Sequence, residues 1–128
     1  MIIRVSWSSG ELHARLYDTP TANRLVAALP CESSANTWGE EVYFEVQMEA
    51  ELEPGARQVV DPGTVCFWVE GSALALPYGP TPISQGSECR LVSEVNVLGK
   101  FDGDARVLST VQSGESIKVE VVADPGGA

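Results

Sequence analysis

Short runs in which every second residue is apolar recur along this 128-residue chain. Residues 2–7 read IIRVSW, and residues 41–48 read EVYFEVQM. Because successive side chains of a β-strand point to opposite faces, each run predicts a strand with one buried face. Such runs, separated by Gly, Pro, Ser and Asp, favour a mainly β protein. The length fits one domain, which we expect over 1–123 with a frayed tail at 124–128.

The pattern predicts about eight short strands and two short helices. A residue that can accept hydrogen bonds from the free N–H groups of the first turn precedes each helix: Thr19 or Thr21 for the first, Asp102 or Asp104 for the second. This content favours a closed eight-stranded β-barrel with helices at its ends over a β-sandwich. The strands are expected at 2–7, 11–17, 41–48, the start of 48–63, near 57–60, 64–69, 73–79, 94–101 and 116–123, and the helices at 21–29 and 102–111.

The net charge excludes two classes of partner. The chain has 8 Lys and Arg against 18 Asp and Glu, a formal net charge of −10. That charge repels the phosphates of nucleic acids and of anionic membranes, so neither is expected as a partner. No run approaches the ~18 consecutive apolar residues of a membrane helix.

The cysteines and the N-terminus together suggest a reducing compartment. Cys31, Cys66 and Cys89 are odd in number and form no CxxC pair, so three free thiols are expected. We expect Cys66, inside an apolar run, to be buried, and the other two to be more accessible. The first 17 residues lack the pattern of a signal peptide, and the expected location is therefore the cytoplasm.

Four motifs point to a family. They are NTWGEEVYF at 36–44, a tryptophan-ended strand at 63–68, YGPTP at 78–82 and VNVLGK at 95–100. In this order they resemble the small prokaryotic cyclophilin-like proteins of unknown function, and the resemblance covers about residues 1–123. It implies the cyclophilin fold, an eight-stranded barrel with two helices.

The same resemblance predicts weak or absent catalysis. Cyclophilins that isomerise prolyl bonds carry a Phe-His-Arg strand, whose arginine polarises the substrate carbonyl. The matching strand here is Val42-Tyr43-Phe44, with Phe44 in place of the arginine. The glutamine and both aromatics of a second motif, Gly-Ser-Gln-Phe-Phe, are replaced in GSALA at 71–75. Because such a site acts through electrostatic donors, loss of the arginine should remove most of the activity.

The adjacent carboxylates Glu40 and Glu41 are candidate site residues. Neighbours on a strand face opposite sides, so they are not expected to form an acid/base pair. Parity places Glu41 with Tyr43 and Glu45 on the outer face, where we expect both acids to be solvated. Glu40 would lie just beyond the core face and would need a turn amide, an arginine or a ligand as partner. The alternative is a solvated strand end.

Aromatic residues beside turns suggest where a ligand would bind, although such residues also cap cores. A carboxylate next to aromatic faces suits a cationic or amide-bearing ligand. His13, the only histidine, has too few potential co-ligands for a metal site or a catalytic triad, so no metal, cofactor or catalytic residue is expected. Asn36 and Asn96 are expected to hydrogen-bond to turns or backbone. The candidate cleft residues are Trp38, Glu40, Tyr43, Trp68, Tyr78, Thr81 and Pro82.

Three functions fit these observations. The first is a protein without the isomerase arginine that binds a peptide or a small ligand in a cleft. The second is a weak peptidyl-prolyl isomerase with a rearranged site. The third is a non-catalytic interaction subunit whose acidic surface docks a basic partner. The identity of the ligand and the oligomeric state are left open.

Overall fold

Ten strands, one α-helix and one 3₁₀ helix make up residues 1–123, the part of the chain that a computed structural model describes. The predicted frayed tail at 124–128 lies outside the described residues. The helix α1 spans Pro20–Ala27, and the 3₁₀ helix spans Ala105–Thr110. The strands are β1 (Ile2–Trp7), β2 (Gly10–Leu16), β3 (Cys31–Ser34), β4 (Asn36–Thr37), β5 (Glu41–Glu45), β6 (Arg57–Val60), β7 (Thr64–Trp68), β8 (Ala73–Pro77), β9 (Cys89–Phe101) and β10 (Ser116–Ala123).

Nine strands form one large antiparallel sheet in the order β3-β10-β1-β2-β9-β7-β8-β5-β4, and β6 pairs separately with β9. The predicted closed eight-stranded barrel is wrong, because within residues 1–123 no ladder joins β3 to the other end of the sheet. The short strand β4 takes the free edge of β5 instead, with Asn36 opposite Tyr43 and Thr37 opposite Val42. Between β3 and β4, the N–H of Ala35 donates to the carbonyl oxygen of Glu115 at 2.9 Å.

The N-terminal hairpin forms as predicted. β1 and β2 pair in register from Ile2 opposite Arg15 to Trp7 opposite Gly10. The predicted apolar face of β1 is buried, with Val5 fully inaccessible to solvent. The period-2 pattern was therefore sufficient to place this element and its inward face.

Each helix begins directly after one of its two predicted cap residues, and α1 starts one residue before the predicted 21–29. The side chain of Thr19 accepts a hydrogen bond from the N–H of Ala22, and Pro20 occupies the first turn of α1. The side chain of Asp104 accepts from the N–H of Arg106 at 2.9 Å and caps the second helix. That helix is a single 3₁₀ segment, shorter than the predicted 102–111.

Both faces of the sheet carry buried apolar residues. The main core lies on one face and receives side chains from β1, β2, β5, β7, β8, β9 and β10. On the opposite face, called the outer face below, a smaller core is formed by Val60, Cys66, Ala75, Cys89, Leu91 and Val95. Cys66 and Ala75 belong to the sheet strands β7 and β8. The other four residues come from β6 and the first half of β9, which cover this part of the outer face.

The long strand β9 makes this second layer possible. Its second half pairs with β7, with Lys100 opposite Thr64, while its first half pairs with β6, with Cys89 opposite Val60. The sequence predicts a strand only from residue 94, and it also predicts a strand at the start of 48–63 that the structure lacks. That segment is instead held by hydrogen bonds between its backbone and the buried Asn96.

Asn96 connects the loop after β5 to α1 and β9. Its side chain is fully buried and accepts from the N–H of Glu53 at 2.8 Å. It donates to the carbonyl oxygen of Glu51 and to the hydroxyl of Thr21, both at 2.9 Å. The expectation that Asn96 hydrogen-bonds to backbone is therefore confirmed.

Candidate functional site

A cleft of about 230 Å³ lies on the outer face of the sheet. Three aromatic rings and one carboxylate form part of its wall, and aliphatic side chains complete it. Val92 lies at its rim and is 53% exposed, so the cleft opens to solvent there. The lining residues are Trp38, Glu41, Tyr43, Trp68, Ala75, Leu91, Val92 and Val95.

Strand geometry brings these residues together. Glu41 and Tyr43 are two residues apart on β5 and therefore share its outer face. Tyr43 lies opposite Ala75 of the neighbouring strand β8. Trp68 ends β7, and its indole N–H donates to the hydroxyl of Ser93 on β9 at 2.9 Å, which fixes the ring.

A tight turn carries the third aromatic residue, Trp38. The N–H of Trp38 donates to the carbonyl oxygen of Glu41 at 3.0 Å, which closes the turn between β4 and β5. Gly39 within it has φ of +59°, and a Cβ there would lie 2.9 Å from the Cα of Thr81 and 2.8 Å from the Cδ of Pro82. Only glycine fits this conformation and spacing without strain.

Glu41 is the polar group of the cleft. Its residue is 6% exposed, and its Oε1 atom has no hydrogen-bond partner among the residues that the structure describes. Burial raises the pKa of its carboxyl from the ordinary value of 4.5 to about 7. Within residues 1–123 no basic side chain lies within ion-pair distance of it. A carboxyl in this setting changes its protonation near neutral pH.

The sequence prediction for the two adjacent acids is wrong in one essential respect. Parity places Glu41 and Tyr43 on the outer face correctly, but Trp38 and residues 91–95 of β9 enclose that face, so Glu41 is buried rather than solvated. Glu45, farther along β5, is exposed as expected. Glu40 meets a donor of the kind expected, because its Oε1 lies 3.3 Å from Nη2 of Arg106 at a partly exposed position.

The predicted candidate residues separate into two groups. Trp38, Tyr43 and Trp68 come together in the cleft. Tyr78 packs against the main core instead. Thr81 is buried, and its hydroxyl donates to the carbonyl oxygen of Arg90. Thr81, Pro82 and Glu40 do not line the cleft, and the first two support the turn that carries Trp38.

Sequence reasoning missed the role of Glu41 and of the β8 and β9 residues. A signal was present in two runs, TVCFW at 64–68 and ALALP at 73–77, which contain almost no polar residues. A strand without alternation is typical of a sheet covered on both faces. That pattern predicts a second layer over β7 and β8, and therefore over the outer face of β5 beside them.

The other candidate groups are placed away from reactive surroundings. Cys66 and Cys89 are buried in the outer-face core, so the expected accessibility of Cys89 is wrong. Burial raises the pKa of the Cys66 thiol and raises that of Cys89 to about 11. His13 is exposed, with Nε2 3.6 Å from Oε2 of Glu11. None of the three cysteines is in a disulfide.

Two further findings concern metal sites and membrane spans. Among residues 1–123, no three His, Cys, Asp or Glu side chains are grouped so that they could hold a metal ion. Among residues 1–123, no helix combines the length and the apolar character needed to cross a membrane.

Comparison with known proteins identifies the family. The family model described as Cyclophilin-like matches residues 1–120. The chain belongs to the cyclophilin-like family. The resemblance inferred from the four motifs is thereby confirmed. No match was found among curated proteins.

A solved structure supports the same assignment. This cyclophilin-like protein is similar to a hypothetical protein from Archaeoglobus fulgidus, whose structure was determined in solution. The two chains share 38% sequence identity, and the match covers 94% of this chain and 93% of the other, with a TM-score of 0.80.

The catalytic arginine of the isomerases has no counterpart in the cleft of this cyclophilin-like protein. Phe44, the residue that stands in its place in the sequence, is fully buried in the main core and faces away from the cleft. Tyr43 is the neighbour on β5 that faces the cleft. None of the residues that line the cleft is basic.

Proposed function

We propose that this cyclophilin-like protein binds a small ligand, or one side chain of a peptide, in the cleft on the outer face of its sheet. The observation that carries the proposal is the Oε1 atom of Glu41, which is buried at the cleft without a hydrogen-bond partner among residues 1–123. Buried polar atoms in folded proteins are nearly always hydrogen-bonded. A ligand that supplies the missing partner accounts for this one.

The composition of the cleft supports binding of a compact, mostly apolar group. Small-molecule sites are largely apolar and aromatic, with a few polar groups that fix orientation. Here three aromatic rings and four aliphatic side chains surround one carboxyl. A dry protein cavity of about 150 Å³ is large enough to bind benzene. A cleft of about 230 Å³ therefore suits a single ring or one side chain.

We propose in addition that prolyl isomerisation by this protein is weak or absent. The support is the lining of the cleft, which presents no arginine or lysine to a substrate carbonyl. Of the other donors at the cleft, the indole N–H of Trp68 is already used by the hydroxyl of Ser93. Polarisation of a twisted amide requires a free donor aimed at it.

A titration with one-ring probes tests the binding proposal. Benzyl alcohol, benzylamine and benzoate are added in turn to ¹⁵N-labelled protein, and the three indole N–H signals are followed. The expected result is that at least one probe shifts the signals of Trp38 and Trp68. The signal of Trp7 should stay in place, because that indole is bonded to Thr110 at 2.8 Å, away from the cleft.

Two variants locate the site. Ala75→Leu places three extra carbon atoms at the wall of the cleft and should abolish the shifts. Ala27→Leu adds the same atoms at an exposed position of α1 and should leave them unchanged. The proposal is wrong if no probe moves either indole signal, or if the shifts persist in Ala75→Leu.

A further inference from the structure

We propose that the ligand of the cleft is an organic cation, whose ammonium or guanidinium group pairs with the carboxylate of Glu41 while its carbon skeleton lies against the aromatic rings. This inference rests on the proposed binding function and names the chemical class of the ligand. Its three supports are the missing counter-charge, the aromatic lining and the shape of the cleft.

Glu41 lacks a counter-charge among residues 1–123. Two less buried acids are paired: Glu40 pairs with Arg106, and Glu88 pairs with Arg90 at 2.6 Å. Glu41 has no basic side chain of residues 1–123 within ion-pair distance, although it is far more buried than these acids. A buried charge is normally paired. Since the described chain supplies no cation to Glu41, a cationic ligand is the complementary partner.

The aromatic lining of the cleft also favours a positively charged ligand. The faces of Trp and Tyr rings carry negative electrostatic potential and attract ammonium and guanidinium groups. Trp38, Tyr43 and Trp68 all border the cleft that contains Glu41. The net charge of −10 adds a field that attracts cations and repels anions. An anionic ligand is disfavoured by each of these terms.

The shape of the cleft limits the rest of the molecule. Glu41 is the one charged residue among the eight that line it, and four of the others are aliphatic. A ligand that fits therefore has one polar end and a compact apolar body. A ring or short alkyl chain with a terminal amine meets both conditions, whereas a polyamine would leave its second charge against an apolar wall.

Proton linkage gives the inference a distinctive signature. An ion pair with the ligand requires ionised Glu41, and burial gives this carboxyl a pKa of about 7. A cation must therefore displace a proton below that pH, and its affinity should fall about tenfold per pH unit as the solution becomes more acidic.

Titration of the groups around Glu41 does not produce the same loss of cation affinity at acidic pH. Tyr43 lies on the same strand as Glu41, Cys66 lies on β7 beyond the intervening strand β8, and Cys89 belongs to the outer-face core on β9. Burial raises the pKa of both thiols, that of Cys89 to about 11, so neither titrates between pH 5 and 8. Charges on Glu40, Asp61 and Arg57 act on these thiols from flanking segments.

The experiment compares benzylamine, a cation at neutral pH, with the neutral benzyl alcohol of nearly the same shape. Dissociation constants are measured at pH 8 by the shifts of the Trp38 and Trp68 indole signals. We expect the wild-type protein to bind benzylamine at least tenfold more tightly. Glu41→Gln should reduce that preference to less than threefold. Glu45→Gln, which removes an exposed acid of the same strand, should retain it.

A calorimetric measurement keeps the test independent of any variant. Benzylamine binding to the wild-type protein at pH 6 should release close to one proton, seen as a dependence of the heat on the ionisation enthalpy of the buffer. Affinity at pH 6 should be about fivefold lower than at pH 7 and about tenfold lower than at pH 8.

The outcomes separate the two proposals. If benzyl alcohol binds the cleft as tightly as benzylamine, or if benzoate binds better, the ligand class is wrong while the binding function stands. The ligand class is also wrong if benzylamine binds without proton release at pH 6. If no probe moves either indole signal, the binding function fails and the inference fails with it.

Discussion

Replacing Glu41 with glutamine should change the pH dependence of stability more than any other single substitution of an acid in this protein. Burial raises the pKa of this carboxyl from 4.5 to about 7 in the folded state. The protonated form is therefore favoured by folding. Its stabilising contribution is fully present below pH 4.5 and is lost as the pH rises through about 7.

The magnitude follows from the two pKa values. One pKa unit corresponds to about 1.4 kcal/mol, so ionisation of Glu41 should lower the free energy of unfolding by about 3 kcal/mol across this window. Most of that loss falls between pH 5 and pH 8. Glutamine has nearly the same shape and does not ionise, so the variant should not show the loss.

The assay is urea unfolding followed by tryptophan fluorescence at pH 5, 6, 7 and 8. The measured quantity is the free energy of unfolding of Glu41→Gln minus that of the wild-type protein. We expect this difference to rise by about 2 to 3 kcal/mol from pH 5 to pH 8. Its absolute value at one pH also contains the cost of burying the amide, which is the same at every pH.

Other carboxyls do not disturb this comparison. Hydrogen bonds lower the pKa values of Glu88, Glu115 and Glu120, so these groups make stability rise with pH, opposite in sign to Glu41. They are present in both proteins and cancel in the difference. Glu45→Gln, at an exposed position, should show a flat difference. A difference for Glu41→Gln that is equally flat would refute the reasoning that Glu41 is buried and unpaired.

Three further predictions concern other parts of the molecule. A thiol reagent should leave Cys66 and Cys89 unmodified in the folded protein, because both are buried, and should count three thiols after denaturation without reductant; a count of one would reveal a disulfide. Exchange NMR on an Xaa-Pro peptide should show no acceleration of isomerisation; a rate comparable to that of an authentic cyclophilin at equal concentration would restore the enzyme hypothesis. Asn96→Ala should lower the free energy of unfolding by about 2 to 4 kcal/mol, because three buried hydrogen bonds are lost. Asn36→Ala, at an exposed asparagine with contacts no shorter than 3.4 Å, should cost less than about 1 kcal/mol; equal costs in urea unfolding would contradict this account.

Local pattern was sufficient for much of the fold. Alternation predicted the N-terminal hairpin and the inward face of β5, and capping residues predicted where both helices begin. These features depend on residues close together in the chain, so a short window of sequence contains the information. The motifs predicted the family for the same reason.

Closure of the sheet could not be predicted in this way. It depends on which segment pairs with the free edge of β5. The two residues of β4 take that edge by folding back on β5, through pairs such as Asn36 with Tyr43. A two-residue strand has no periodicity, so its pairing appears only in the tertiary structure.

The different surroundings of Glu40 and Glu41 show most clearly where prediction from the sequence ends. Because side chains alternate along a strand, the sequence alone is enough to predict that these acids face opposite sides of β5. It did not determine which side meets water. Residues 91–95 of β9, about fifty positions away in the chain, help to cover the outer face and enclose Glu41 beside Tyr43 and Trp68. The period of the apolar residues shows which side chains share a face. Whether that face is buried depends on the segments that pack against it, and these come from distant parts of the chain.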